Sequence, residues 1–411
     1  MASKGNYIFG IDIGSSYVRS VVGEVISNLP LQIIAANTTE AHGIRKGQIF
    51  DPEDATECIK QNLEEIERKI GEKPGPLIVS ISGPHIQSLT SRGVVAVSRA
   101  DGEISEEDVV RVIKAAEAIS LPKNKEPLHI IPKEFIVDKE TGIKDPRGMH
   151  GVRLEVECEV IFGATTAINS LTKAIEETGN SVNGLVFSSL AAAEAVLSKR
   201  QKELGVLVLD IGGSSTGFTV FEEGNVFAAS VLPIGAAHIT NDITYAFQLP
   251  IDMAEKVKLK YGVAFTGEYS KKEEINLNDF GEEKNRKISR KKLIEVIEPR
   301  SSEILDLANK ELKKIGRERL LPGGVVIVGG GAKMPGMEEF VKKELHLPCE
   351  VGFPIKVEGI VDKVDDPGFA TVIGLLLWEF NEKTTNQGSS RKIQIGKNFT
   401  KIKKWVEGLL P

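Results

Sequence analysis

The stretch Gly205-Val-Leu-Val-Leu-Asp210-Ile-Gly-Gly213-Ser-Ser-Thr216-Gly217-Phe-Thr-Val-Phe221 decides the reading of this chain. Val206 to Leu209 is a short apolar run dense in branched residues, the pattern of a buried strand. An acid, two glycines and three hydroxyls follow, and Phe218, Val220 and Phe221 resume a strand pattern. The stretch predicts a hairpin. Glycines let its turn bend sharply and approach a ligand. Successive N–H groups in such a turn make an anion-binding concavity. Asp210, at the end of the first strand, is placed to hold Mg²⁺ directly or through water.

A second copy lies upstream. Tyr7-Ile-Phe-Gly10-Ile-Asp12-Ile-Gly14-Ser15-Ser16-Tyr17-Val-Arg19-Ser-Val-Val22 has the same layout of strand, Asp-Ile-Gly, hydroxyls and strand. A lone Asp-x-Gly is usually an ordinary turn acid. Two in matched contexts, nearly half the chain apart, predict two related lobes with a phosphate site between them. A third glycine run, Gly329-Gly330-Gly331-Ala332-Lys333-Met334-Pro335-Gly336, follows the strand-like Gly323 to Val328. It lacks the spacing of a dinucleotide fingerprint, and any strand-to-helix turn needs glycine. Beside the two hairpins it reads as a further wall of one pocket. Gly213-Ser-Ser-Thr-Gly217 matches the hydrolase elbow only formally, because a strand and not a helix follows it. There is no Walker P-loop.

Composition sets the bounds. The chain has 411 residues, 41% hydrophobic and 27% charged, with net charge −6. That predicts a soluble multidomain protein and argues against nucleic acid as a partner. The N-terminal residues show no signal pattern, and no run approaches a membrane span. Cys58, Cys158 and Cys349 are scattered and read as reduced thiols of a cytosolic chain. The six histidines show no metal-ligand spacing.

Between the hairpins, Asp51-Pro52 opens a helix over 53–70, and Leu77 to Ile81 is a buried strand. From about Pro84 to Val160 the texture becomes that of an inserted αβ module, with a capping box at Ser105-Glu-Glu-Asp108. Helices are expected over 165–178 and from Ser188. Beyond the central hairpin they are expected over 238–247, 252–261 and 288–314, the last broken near Pro299. Residues 263–290 read as a polar surface insertion, and Phe369 to Phe380 as an apolar helix on the first lobe. Asn381 to Gly396 reads as a flexible linker. The terminal stretch 397–411 places Phe399, Ile402, Trp405, Val406, Leu409 and Leu410 on one helical face, with Lys401, Lys403 and Lys404 beside it. That composition suits an anionic membrane interface, although such tails also dock on proteins.

With these motifs in place the chain resembles the actin-like ATPase superfamily of sugar kinases, heat-shock chaperones and MreB. Within it, the chain resembles the FtsA family of bacterial cell-division proteins. Gly43-Ile-Arg-Lys-Gly47, Gly148-Met-His-Gly151-Val-Arg-Leu154 and Ala254-Glu255-Lys-Val-Lys258 carry the match alongside the phosphate motifs. The resemblance implies an α/β actin-like two-lobe fold. Subdomain IA would cover 1–83 and 161–197 with a C-terminal helix in 359–380, IC 84–160, IIA 198–245 and 316–358, and IIB 246–315. ATP and Mg²⁺ would sit between the lobes. Asp12 and Asp210 would hold the metal. Gly14, Ser15, Ser16, Gly212, Gly213, Ser214, Ser215 and Thr216 would line the phosphates. Glu255 and Lys258 would reach the nucleoside, and 329–334 the adenosine. The implied role is to tether FtsZ filaments, through their C-terminal peptide bound at IIB, to the inner membrane face at the division site. Self-assembly into filaments and binding of other division proteins through IC are also implied.

One departure bears on chemistry. MreB-type relatives carry a Glu-Pro pair before the Ala-rich helix, where the Glu orients the attacking water. Ser188 and Ser189 stand there in this chain. A hydroxyl is a poorer base than a carboxylate, so nucleotide is expected to bind with slow or absent turnover. Two rivals share the core: a pilus-assembly protein of the PilM type, expected to lack the terminal helix, and a sugar or acetate kinase, which needs a substrate-cleft acid that the chain does not display.

Overall fold

The two hairpins seed two sheets of one design. In the computed structural model, residues 6–27, 29–118, 121–266, 273–281 and 286–385 are described. The first hairpin is β1 (Tyr7–Ile13) and β2 (Tyr17–Glu24), continued antiparallel by β3 (Leu31–Glu40). The small ribbon β4 (Ile44–Arg45) and β5 (Gln48–Ile49) follows, then α1 (Pro52–Ile70) and β6 (Leu77–Ile81), which lies parallel to β1. The Asp51 side chain caps α1 by accepting from the N–H groups of Glu53 and Asp54, as the Asp-Pro signal predicts.

The inserted module is a four-stranded sheet, in the order β7, β10, β8, β9. Its elements are β7 (Gln87–Ala96), α2 (Glu106–Glu117), β8 (Lys125–Val137), β9 (Glu140–Ile143) and β10 (Arg153–Ala164). Val109, Val112, Ile113 and Ala116 of α2 pack on Leu154, Val156 and Cys158. Pro132 sits inside β8, and the register with β10 slips opposite it, between Glu157 and Cys158. A bulge absorbs the missing ladder donor.

α3 (Thr165–Glu176) and β11 (Val182–Phe187) complete the first lobe, whose sheet runs β11, β6, β1, β2, β3, β19. α4 (Ser188–Val196) and α5 (Lys199–Leu204) cross to the second lobe. There the central hairpin is β12 (Val206–Ile211) and β13 (Thr216–Glu222), continued by β14 (Asn225–Leu232). β17 (Val325–Val328) and β18 (Cys349–Val351) lie parallel on the other side of β12. In each sheet the central strand continues on one side through two successive antiparallel pairings and on the other through two parallel ones, and the first sheet adds β19 beyond β3. This is the two-lobe α/β architecture that the duplicated hairpins predict.

A smaller core forms from α6 (Ala236–Phe247), α7 (Ile251–Tyr261), the ribbon β15 (Glu274–Asn276) with β16 (Lys287–Ser289), and the first half of α8 (Arg290–Lys314). The stretch read as a polar insertion therefore contributes structure: Ile275, Leu277 and Ile288 are buried in this core. The core also takes in Ile239 and Ile243 of α6, while Ile304, Leu305 and Leu312 of α8 pack on the second sheet. No break occurs at Pro299. The proline lies on the exposed face of a continuous α8, where solvent can satisfy the carbonyl that it leaves unpaired.

α9 (Met337–Leu345) packs on the second sheet, and β19 (Val357–Gly359) and α10 (Ala370–Thr385) return the chain to the first lobe. β19 pairs parallel with β3. α10 runs five residues past Phe380, so 381–385, read as linker, are helical. The rest of the linker and the amphipathic segment 397–411 lie outside the described residues. α4 and α10 cross closely: a Cβ on Gly374 would stand 1.7 Å from the Ala191 carbonyl oxygen.

Candidate functional site

The turns of the two hairpins have matching backbone bonds. Gly14 N–H donates to Tyr17 O at 3.1 Å, and Gly212 N–H to Ser215 O at 3.0 Å. The two loops meet, with Ser214 Oγ donating to Ser15 Oγ at 2.6 Å. Ser15 Oγ also accepts from Gly47 N–H at 3.0 Å. The approach is close enough to demand glycine: a Cβ on Gly213 would lie 2.3 Å from Ser16 Oγ. The first turn of α6 holds the carbonyls of Gly212 and Gly213, through the N–H groups of Ala236 and Ala237. Among the described residues, the N–H groups of Ser15, Ser16, Gly213, Ser214 and Ser215 meet no acceptor. Backbone donors without partners on two facing loops are chemically able to receive an anion.

Asp12 and Asp210 end the two central strands behind these loops. Asp12 accepts from Ser80 Oγ at 2.7 Å, and Asp210 from Thr371 Oγ1 at 3.4 Å. Burial raises the Asp12 carboxyl above its ordinary range, against the pull of Ser80 and Arg19. Burial and then the charge of Asp12 push Asp210 up to about 6. Two carboxyls in one low-dielectric place oppose each other's ionisation. Ser188 Oγ, at the start of α4, is buried with no hydrogen bond of good geometry, yet lies close enough to help hold the Asp210 carboxyl down. Ser189 Oγ accepts from Thr219 Oγ1 at 2.9 Å.

Other expected site residues are placed unevenly. Thr216 is fully buried, and its hydroxyl donates to Ile234 O at 2.8 Å, so it braces the hairpin. Gly329 has φ 83 and abuts Asp210; a Cβ there would lie 2.6 Å from Oδ1. Gly331 packs on Ile211, whereas Gly330 stands in open space. Ala332 is buried and Met334 packs against both cores of the second lobe. Lys333 is paired with Asp366. Glu255 and Lys258 pair with each other at 2.7 Å, and both bond Thr240. Lys258 also donates to Ala236 O at 3.2 Å, which ties α7 to the helix behind the second loop.

Arg19 is a site residue that the sequence reading passed over. It stands opposite Asp12 in the β1–β2 register and acts on Asp12, Asp210 and Asp366 electrostatically. Its guanidinium lies over Tyr17 at 5.1 Å and Phe369 at 5.6 Å. Hairpin register was the signal available for it: counting back from the turn pairs residues 12 and 19. Thr371 and Asp366 come from the distant end of the chain and left no local signal.

Comparison with known proteins adds the family. The model "Cell division protein FtsA" matches residues 207–374, and "SHS2 domain inserted in FTSA" matches 83–162. The chain is 34% identical to Cell division protein FtsA of Pseudomonas aeruginosa, covering 98% of each chain. It is 36% identical to that of Borreliella burgdorferi, covering 97% of this chain and 98% of the relative. Among solved structures, the PilM-PilN type IV pilus biogenesis complex is similar with TM-score 0.64 and 19% identity, covering 91% of this chain and 98% of that one. MreB5 of Spiroplasma citri bound to ADP is similar with TM-score 0.55 and 14% identity, covering 93% and 99%. At such identities the likeness speaks for the fold alone. The near-complete matches to curated relatives carry more, and the chain belongs to the FtsA family of cell division proteins.

Proposed function

We propose that this cell-division protein binds ATP with Mg²⁺ between its lobes and uses the bound state to set its conformation while anchoring FtsZ filaments to the cytoplasmic membrane. One observation carries the nucleotide reading: five unpaired N–H groups on two facing loops, above two aspartates. The residues present fit the ligand. Free amides suit phosphate oxygens, and a carboxyl pair raised chiefly by burial, with the charge of Asp12 adding to the rise at Asp210, suits a divalent cation, directly or through water. Bound Mg²⁺ would neutralise phosphate charge at that point. Asp12 and Asp210 would hold it, and the loop amides would orient the phosphates. The exposed edge of Glu255 with Lys258, and the 329–334 turn, would receive the nucleoside. MreB5 has been solved with ADP and with AMPPNP, which supports the same reading.

Turnover is slow in this account. Ser188 and Ser189 occupy the start of α4 beside Asp210, and neither supplies a carboxylate to orient water. A steady-state rate near the enzyme median of about 10 s⁻¹ would overturn that part.

Membrane anchoring rests on the amphipathic pattern of 397–411. No helix among the described residues is long and apolar enough to cross a membrane. The FtsZ C-terminal peptide is proposed to bind the α6–α8 subdomain, the inserted module to bind other division proteins, and copies of the chain to form filaments. The experiment is co-sedimentation with anionic vesicles, comparing the full chain with a truncation at Gly396. Loss of pelleting on truncation supports the anchor, and equal pelleting refutes it. Titration with an FtsZ C-terminal peptide tests the partner separately.

A further inference from the structure

The outer strand of the first sheet, β11, is an unprotected edge. Among the described residues it hydrogen-bonds along its length only to β6. Its sequence, Val-Asn-Gly-Leu-Val-Phe, carries neither a charge nor a proline. Exposed edges are normally blunted by charge, proline or cover, because they template strand addition. His129 Nε2 accepts from Phe187 N–H at the upper end, and the lower end is open. A groove of about 270 Å³ runs along that lower end. Leu128, Ile168, Val182 and Leu185 form its apolar wall, and Glu126 and Glu176 lie at its rim. Neither acid has an ion-pair partner among the described residues.

A second cavity, of about 200 Å³, adjoins the first through Asn183 and is closed by Glu379 and Lys383 of α10. Asn183 Nδ2 donates to Glu379 Oε2 at 3.0 Å. α10 runs from the cleft, near Gly10, towards Tyr7 at the far end of β1. It therefore ends where β11 begins. The chain beyond it reads Asn386-Gln-Gly-Ser-Ser390-Arg391-Lys392-Ile393-Gln394-Ile395-Gly396. Residues 392–395 alternate polar and branched apolar side chains, a strand pattern, with Arg391 just before them. The five residues before them span up to about 17 Å, enough to reverse direction beside Asn183. The returning segment would run parallel to β11.

We propose that Arg391–Ile395 adds to the free edge of β11 as a further strand. Ile393 or Ile395 would enter the groove, and Arg391, on the same face of the strand, would meet Glu126 or Glu176, with Lys392 on the opposite face. Main-chain pairing on an edge with a side-chain pocket is the usual form of strand addition. The inference does not depend on the membrane reading. If both hold, docking shortens the tether and fixes which side of the first lobe faces the bilayer.

The test compares amide exchange at 182–185 in the full chain with that in the full-length double variant Ile393→Asp/Ile395→Asp. The substitutions lie outside the described residues. Exchange at 182–185 is expected to quicken at least tenfold, while 206–211 in β12 stays unchanged. The conservative pair Ile393→Val/Ile395→Val should retain protection. Rates at 182–185 within twofold of the native chain would overturn the proposal. If that unchanged protection also rises with protein concentration, a second copy of the chain covers the edge instead.

Discussion

Asp210→Asn should stabilise the ligand-free protein while abolishing its response to ligand. Burial and Asp12 raise the Asp210 carboxyl from 3.8 to about 6. Two units correspond to about 3 kcal/mol against the ionised form at neutral pH. Asparagine removes that charge but leaves an amide to satisfy beside Thr371, at a cost of about 1–2 kcal/mol. The net gain at pH 7.5 is then about 1–2 kcal/mol, a rise of a few degrees in Tm. The pH dependence is the discriminating part. The folded state holds its proton more tightly than the unfolded state, so this group's contribution to stability is lost as pH rises from about 4 to about 6. The charge relief is full at pH 7.5, about half at pH 5 and small at pH 4, so against the constant amide cost the variant should be the more stable at pH 7.5, about equal to the parent at pH 5 and the less stable at pH 4. Urea unfolding at those three values without nucleotide measures it. Adding ATP and Mg²⁺ at a hundred times the dissociation constant should stabilise the native chain by about 2.7 kcal/mol and the variant hardly at all. A variant less stable than the parent at pH 7.5, or a gain independent of pH, would refute the reasoning.

Three further outcomes follow from other places. Gly374→Ala puts a methyl group 1.7 Å from a backbone oxygen at the α4–α10 crossing; it should cost at least about 3 kcal/mol, measured by chemical denaturation. Thr216→Val removes the donor to Ile234 O and should cost about 1–3 kcal/mol in the same assay. Burial, with help from Lys125, lowers His85 to about 4. Its contribution to stability is therefore lost as pH falls from about 6.5 to about 4. Against native protein, His85→Gln should lose less stability over that window, and because the Asp210 slope there has the opposite sign, each is visible only against its own variant.

Local chemistry made much of the fold legible. Asp51-Pro52 and Ser105 to Asp108 marked helix starts that the structure places at the same residues. The duplicated Asp-Ile-Gly turns marked both central strands, because a turn so rich in glycine and hydroxyls belongs to neither a helix nor a strand interior. What escaped was set by distant parts of the chain. β18 and β19 are three residues each and exist only because β17 and β3 offer them edges. Pro299 looked like a helix break, but neighbours on both sides carry α8 across it. Ile275 and Ile288 sit among charged residues, and only α6 to α8 closing over them makes them core. In the site, the loops were readable, whereas the Glu255–Lys258–Thr240 cluster and the approach of Thr371 to Asp210 depend on packing between elements far apart in sequence.

The central claim is that the two facing loops clamp a nucleotide. Isothermal titration of the full chain with ATP, with and without Mg²⁺ and beside Gly213→Val, tests it most directly. The account predicts one-to-one binding that strengthens with Mg²⁺ and weakens at least tenfold in the variant, whose side chain would meet Ser16 Oγ. Absence of saturable binding, or equal affinity in the variant, would contradict it.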